Sequence, residues 1–157
     1  METIVELTLL GQILAAVLLA AAVGVERELA KKPAGLRTHM LMGGAACLLV
    51  ILGDKVVAEY GPEALISSDP IRIIQAIVVG VSFLGAGIFR ANTNNGDAQI
   101  EGTTTGASLL SVAGVGIAVA LELWWLAFGV TLTNVIINRG VDWFETILKD
   151  KRAKRPS

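Results

Sequence analysis

Residues 7–53 read LTLLGQILAAVLLAAAVGVERELAKKPAGLRTHMLMGGAACLLVILG, which is an apolar run, a charged stretch and a second apolar run. No Asp, Glu, Lys or Arg occurs from Leu7 to Val25 or from Thr38 to Gly53, whereas Glu26, Arg27, Glu28, Lys31, Lys32 and Arg37 crowd between them. About 20 apolar residues in a helix, rising about 1.5 Å each, cross a hydrocarbon core about 30 Å thick. The stretch therefore reads as a transmembrane helical hairpin with a basic turn.

Working outward, the same alternation gives three more spans, Ile71 to Phe89, Thr103 to Leu121 and Leu123 to Asn138. Five crossings put the two ends of the chain on opposite sides. Arg27, Lys31, Lys32, Arg37, Arg90, Arg139, Lys149, Lys151, Arg152, Lys154 and Arg155, 11 of the 13 basic residues, then share one side, and Lys55 and Arg72 hold the other. Basic loops stay cytoplasmic, so the N-terminus is expected outside and the C-terminus in the cytoplasm. Fusing the last two stretches around Glu122 gives a four-span alternative, which brings Glu2 and Glu6 to the side of the basic tail. The expected fold is an all-α polytopic membrane helix bundle of about five transmembrane helices. Its membrane domain covers 1–138, and an amphipathic, basic cytoplasmic tail covers 139–157.

The 157 residues are 54% hydrophobic and only 17% charged, with mean hydropathy +0.66, too apolar for a soluble domain and accounted for by one membrane domain. A net charge of −1 conceals the polarised distribution and gives no ground for a nucleic-acid partner. The first stretch has a small-residue zone at Ala20, Ala21 and Ala22, but Glu2 and Glu6 precede it with no Lys or Arg, the reverse of a secretory leader. It is expected to remain as an anchor. Cys47 is the single cysteine, which excludes a disulfide or a cysteine metal cluster within this chain and points to a packing role inside the second span.

Aromatic residues check the boundaries. Trp124 and Trp125 fall at the outer start of the fifth span, and Trp143 and Phe144 just past its inner end, where amphipathic rings favour the interface. Val141, Phe144, Ile147 and Leu148 then recur at helical spacing, which suggests a short helix on the inner leaflet. Five basic residues in the seven positions from Lys149 to Arg155 either bind anionic headgroups or enforce cytoplasmic orientation.

Spans three and four are rich in glycine, with Gly80, Gly85 and Gly87 on one and Gly106, Gly114 and Gly116 on the other. Lipid supplies little hydrophobic force between helices, so small residues that let backbones approach form the interfaces. These two spans are the expected packing pair, and their surplus of small residues points to a homodimer. Alternatively, Gly85-Ala86-Gly87 locally unwinds its helix and exposes carbonyls to a solute.

In the first loop Pro33, Ala34 and Gly35 read as a tight turn, with Glu26 and Arg27 at one helix end and Arg37, Thr38 and His39 at the next. Glu26 is expected to pair with Arg37 or Arg27, because a partly desolvated charge is costly unless matched. The group serves either as a structural clamp or as a partner-docking or ion-sensing surface. Polar residues inside the spans are Gln12, Gln75, Ser82, Ser108, Ser111, Thr131, Thr133 and Asn134, and interhelical hydrogen bonds account for them. No carboxylate lies among them, which opposes a dehydrated magnesium pathway because Mg²⁺ seeks oxygen ligands in octahedral geometry. No catalytic dyad, phosphate loop, cofactor motif or metal cluster is present, so an enzyme is not expected.

Three segments together resemble the MgtC/SapB family of bacterial inner-membrane proteins. They are Gly24-Val25-Glu26-Arg27-Glu28 leading to Lys32-Pro33-Ala34-Gly35-Leu36-Arg37-Thr38-His39 and Gly43-Gly44-Ala45-Ala46; then Gln75, Gly80 and Phe83-Leu84-Gly85-Ala86-Gly87-Ile88; then Gly102-Thr103-Thr104-Thr105 with Ala113-Gly114-Val115-Gly116. The resemblance implies a five-span inner-membrane protein tied to magnesium-limited growth and, in pathogens, to survival in host cells. It further implies a regulator of other membrane complexes, the ATP synthase among them, rather than a proven transporter. Glu26, Arg27, Arg37, Thr38, His39, Gln75, Thr104 and Thr105 are the candidate functional residues. Longer members add a cytoplasmic C-terminal domain with no counterpart here, and Glu101 stands where the family commonly has arginine.

Three functions follow as expectations. The first is a non-catalytic modulator of magnesium homeostasis or of other membrane complexes, the second a small-ion or solute transporter, and the third a helix-packing module.

Overall fold

The computed structural model describes residues 2–60, 70–88, 90–92 and 99–153, with side chains described within 3–59, 71–88 and 102–140. Every expected span is a helix: α1 (Glu2–Leu29), α2 (Leu36–Tyr60), α3 (Pro70–Ala86), α4 (Thr103–Ala120) and α5 (Trp124–Ala153). Three of them, over Thr3–Leu29, Leu36–Glu59 and Thr103–Ala120, are long and apolar enough to cross a membrane, and Ile71–Ala86 is a shorter apolar helix. Two details depart from the sequence reading. A short antiparallel ribbon, β1 (Arg90–Asn92) and β2 (Gln99–Glu101), joins α3 to α4 where a polar loop was expected, with Arg90 opposite Glu101. The helix of the last span runs on to Ala153 with no break at Asn138. The side chains of Trp143, Phe144 and the basic tail lie outside the described ones.

The helix ends explain why there are five helices and not four. After α4 the chain turns at Glu122, whose φ is 59°; its N–H donates to Val119 O at 3.0 Å, and Leu123 N–H donates to Ala118 O at 2.8 Å. This left-handed cap reverses direction and splits the two stretches that a four-span reading would fuse. Lys31, φ 53°, ends α1 in the same way, with Lys31 N–H on Glu28 O and Lys32 N–H on Arg27 O, both at 3.0 Å. A left-handed residue without glycine costs about 1–2 kcal/mol; here the recovered carbonyl bonds offset it.

Burial runs opposite to that of a water-soluble protein. His39 is 0% exposed and the side chains of Gln12, Glu26, Arg27, Thr105 and Ser108 are also buried, whereas Phe83 is 80% and Leu41 74% exposed. Apolar side chains turned outward and polar ones turned inward fit a hydrocarbon surround.

Helix α4 is the hub, packed against each of the other four helices, and α1 against α2 forms the broadest interface. Ala16, Ala20, Val23, Cys47, Val112, Val115 and Val119 fill the middle with small and branched side chains, and Cys47 takes the packing role expected of it. Close approach is concentrated between α2 and its neighbours. A Cβ on Gly43 would lie 2.7 Å from Ala20 Cβ, and one on Gly24 would lie 2.8 Å from Leu36 Cα. Between α3 and α4, the expected pair, only Gly85 meets a counterpart, with Gly106 Cα 3.5 Å from its Cβ position. Gly80 and Gly114 face open space, and Gly87 faces only the Phe83 and Leu84 carbonyls of the preceding turn. The glycines that bring α3 and α4 together are thus fewer than their number suggested.

Candidate functional site

The end of the bundle where α1 finishes and α2 and α4 begin gathers the polar side chains of four helices. Arg27 lies in the last turn of α1, 3% exposed, and its guanidinium crosses to α4. Nη2 donates to Thr104 Oγ1 at 3.2 Å and Thr105 Oγ1 at 3.3 Å, and Nη1 donates to Asn138 Oδ1 on α5 at 3.4 Å. These bonds are long, and all three acceptors are neutral. From α2, His39 Nδ1 donates to Gly35 O at 2.8 Å, which leaves Nε2 to accept from the Ser108 hydroxyl of α4 at 2.7 Å. The neutral imidazole with its proton on Nδ1 satisfies both contacts.

The local sequence explains the convergence. Ser108 falls four residues after Thr104 and three after Thr105, so it shares a face of α4 with both. Ser111 continues that face and accepts from Asn134 Nδ2 at 2.8 Å; Asn138 lies one turn beyond Asn134 on α5. Gly24 removes the Cβ that would separate α1 from the start of α2, and so seats His39 beside the cluster. Gly102, φ 101°, turns the chain into α4 against the Ile88 carbonyl, which a Cβ would meet at 2.7 Å.

Among the described residues the site is not fully satisfied. Glu26 Oε2, Arg27 Nε and Asn138 Nδ2 are buried without hydrogen-bond partners. Among the described residues Glu26 forms no ion pair with Arg37 or Arg27, contrary to the sequence expectation; its side chain is 7% exposed while Arg37 stands exposed at the start of α2. The physical reason is the turn. Glu28, not Glu26, reaches across it, and its Oε2 accepts from Leu36 N–H at 3.0 Å, capping α2 and complementing the positive end of its dipole. Ala34 tucks beneath this turn, 1% exposed.

Of the residues proposed from sequence, Glu26, Arg27, His39, Thr104 and Thr105 come together here. Arg37 and Thr38 line a shallow cleft of about 470 Å³ with Glu28, Gly35 and Leu36. Gln75 is exposed on α3 and makes no bond to the cluster. Ser108 was expected only to make an interhelical hydrogen bond, as it does to His39, and Asn138 and Glu28 were not among the candidate functional residues. The helical spacing from Thr104 to Ser108 carried the signal for the first; nothing in the sequence says that Asn138 would meet Arg27.

A second polar group lies at the opposite end, where Gln12 Nε2 donates to Glu122 Oε1 at 3.1 Å beside a cavity of about 370 Å³ that Asp54 and Lys55 also line. The apolar middle of the bundle stands between the two. Among the described residues no group of three or more His, Cys, Asp or Glu side chains converges as a metal site would require.

Comparison with known proteins places this arrangement. The MgtC family model matches residues 13–147. Protein SapB of Bacillus subtilis is 32% identical over 128 residues, covering 82% of this chain and 54% of its own. A putative magnesium transporter, YhiD, of Escherichia coli is 31% identical over 127 residues, 80% of this chain and 57% of its own. Protein MgtC of Salmonella typhimurium is 32% identical over 126 residues, 80% of this chain and 49% of its own. The chain thus spans about half the length of the curated relatives it matches. No solved structure matches it. With both the buried cluster and the capped turn inside the matched region, the chain belongs to the MgtC family.

Proposed function

We propose that this chain is a non-catalytic, multi-pass protein of the bacterial inner membrane that modulates magnesium homeostasis or other membrane complexes, acting through the end of the bundle that carries Arg27 and Arg37. The orientation proposed is N-terminus outside and C-terminus cytoplasmic, as the distribution of basic residues favours. The observation that carries the reading is the separation of the polar groups. Arg27, His39 and Ser108 are sealed at one end, Gln12 and Glu122 lie at the other, and Ala16, Ala20, Val112, Val115 and Val119 close the middle. A protein built to pass a hydrated cation through its own bundle needs a polar route, and apolar packing of this density opposes one. Arg37 and Thr38, exposed and without a partner among the described residues beside the sealed cluster, supply a face on which a second membrane protein can dock. Gly80 and Gly114, open to the surround, supply contacts for a homodimer.

Cation transport is the second reading. Its support is the cavity at Gln12, Asp54 and Glu122 and the transporter named among the relatives. Growth of a bacterium deprived of its own family member, at limiting magnesium, separates a docking face from a merely structural one. Arg37→Glu should abolish rescue while leaving the melting temperature of the purified protein unchanged. Full rescue by that variant contradicts the docking role.

A further inference from the structure

We propose that the first turn of α4, backed by Arg27, is a binding site for a phosphate-type oxyanion, supplied as a phospholipid headgroup or as free phosphate. The inference uses the same end of the bundle as the proposed docking face but does not depend on a partner protein, and its test reads binding rather than growth.

Four observations converge. Helix α4 begins at Thr103 with no side-chain cap, and the first backbone bond back to its start comes from Gly106 N–H to Gly102 O. The N–H groups of Thr103, Thr104 and Thr105 are therefore left without intrahelical acceptors at the positive end of the helix. Gly102 in the left-handed region, followed by helical residues, turns successive N–H groups toward one point, the concavity that holds anions. Thr103 and Thr104 are exposed, so this point is open from outside the bundle.

Behind it lies a charge that no carboxylate among the described residues pairs with. Arg27 is nine-tenths buried and more, aims its guanidinium at this same turn, keeps Nε without a partner and bonds only neutral oxygens. Because the Thr104 and Thr105 hydroxyl oxygens accept from Nη2, their own protons are directed elsewhere, and among the described residues neither hydroxyl donates to an acceptor. An oxyanion at the turn accepts from the Thr104 hydroxyl and the free N–H groups, and it supplies the negative charge that Arg27 lacks. Asn138 Nδ2, also unpartnered beside the guanidinium, is a further donor without an acceptor. Of the carboxylates whose side chains are described, Glu28 is engaged by Leu36 N–H, and Glu26 makes no ion pair with Arg27; the side chain of Glu101, directly before Gly102, lies outside the described ones.

The test is thermal unfolding of the purified chain titrated with sodium phosphate against sodium chloride at matched ionic strength. A parallel series uses nanodiscs of phosphatidylcholine with and without phosphatidic acid. Phosphate should raise the melting temperature saturably, and Thr104→Val, which removes one donor, should raise the half-saturating concentration about tenfold. Arg27→Lys, which keeps charge but loses the fork, should remove the response; should that variant fail to fold, Thr104→Val decides. A response confined to phosphatidic acid discs and weakened by Thr104→Val assigns the site to a lipid headgroup. No response in either series, or responses unchanged in Thr104→Val, overturns the proposal.

Discussion

The carbonyl oxygen of Gly43 on α2 stands where a Cβ of Gly116 on α4 would have to go, with Ala46 Cβ and Cys47 N each 3.1 Å from that position. The two helices meet backbone to backbone. Gly116→Ala must push them apart and should lower stability by about 1–3 kcal/mol. Gly129→Ala, on α5 and facing open space, should be neutral or slightly stabilising, since alanine is the better helix former by about 1 kcal/mol. Denaturant unfolding in detergent compares the two, and equal losses would refute the packing.

Ser108 and His39 offer a second test. The hydroxyl closes the ring's Nε2 inside the cluster, so Ser108→Ala leaves a buried nitrogen without a donor and should cost about 1–3 kcal/mol. Ser82→Ala provides the control, because its hydroxyl is exposed and only bonds back to Val78 O in its own helix. The difference in melting temperature between the two variants measures the contact, and a Ser108→Ala protein as stable as the Ser82→Ala one would remove it from the site.

Arg27 and Arg37 should behave oppositely. Replacing Arg27 with Gln leaves the Thr104, Thr105 and Asn138 acceptors poorly matched and should lower stability by about 2–4 kcal/mol. Arg37→Gln, at an exposed residue without an ion pair, should change stability by less than about 0.5 kcal/mol. Exchanging Glu26 and Arg37 should not restore stability, as it would if the two residues paired. A stable exchanged protein would revive that pair.

The helices were legible because their signal is local. Uninterrupted apolar runs divided by charge locate α1, α2 and α4, although α1 begins at Glu2 and α2 runs on past Gly53 to Tyr60, and the glycine-flanked loop motif marked Glu26, Arg27 and His39 as neighbours. What was hidden depends on relative rotation of helices. The residue to which Arg27 points is set by how α4 and α5 pack, and one sequence cannot report that rotation; hence the expected pairing of Glu26 with Arg37 or Arg27, where Glu28 makes the bond across the turn. The glycines misled for the same reason. Gly85 and Gly80 look alike along the chain, yet one meets Gly106 and the other faces outward. The ribbon of β1 and β2 escaped notice because three-residue strands carry too little pattern to stand out from a polar loop.

Orientation is tested by cysteine labelling in a Cys47→Ala background, at Pro33 and at Glu59, both exposed at opposite ends of α2 and its preceding turn. A membrane-impermeant reagent applied to intact cells should modify Glu59→Cys and spare Pro33→Cys until the membrane is opened. The reverse pattern would invert the proposed topology.

The central claim, that the chain modulates rather than conducts, is tested most directly by magnesium entry into liposomes carrying the purified protein and a trapped magnesium indicator. The account predicts uptake equal to that of protein-free liposomes, from the same preparation that supports growth at limiting magnesium when expressed in cells. Saturable uptake that disappears in Glu122→Gln would contradict it and make the cavity beside Gln12 and Asp54 the mouth of a cation path.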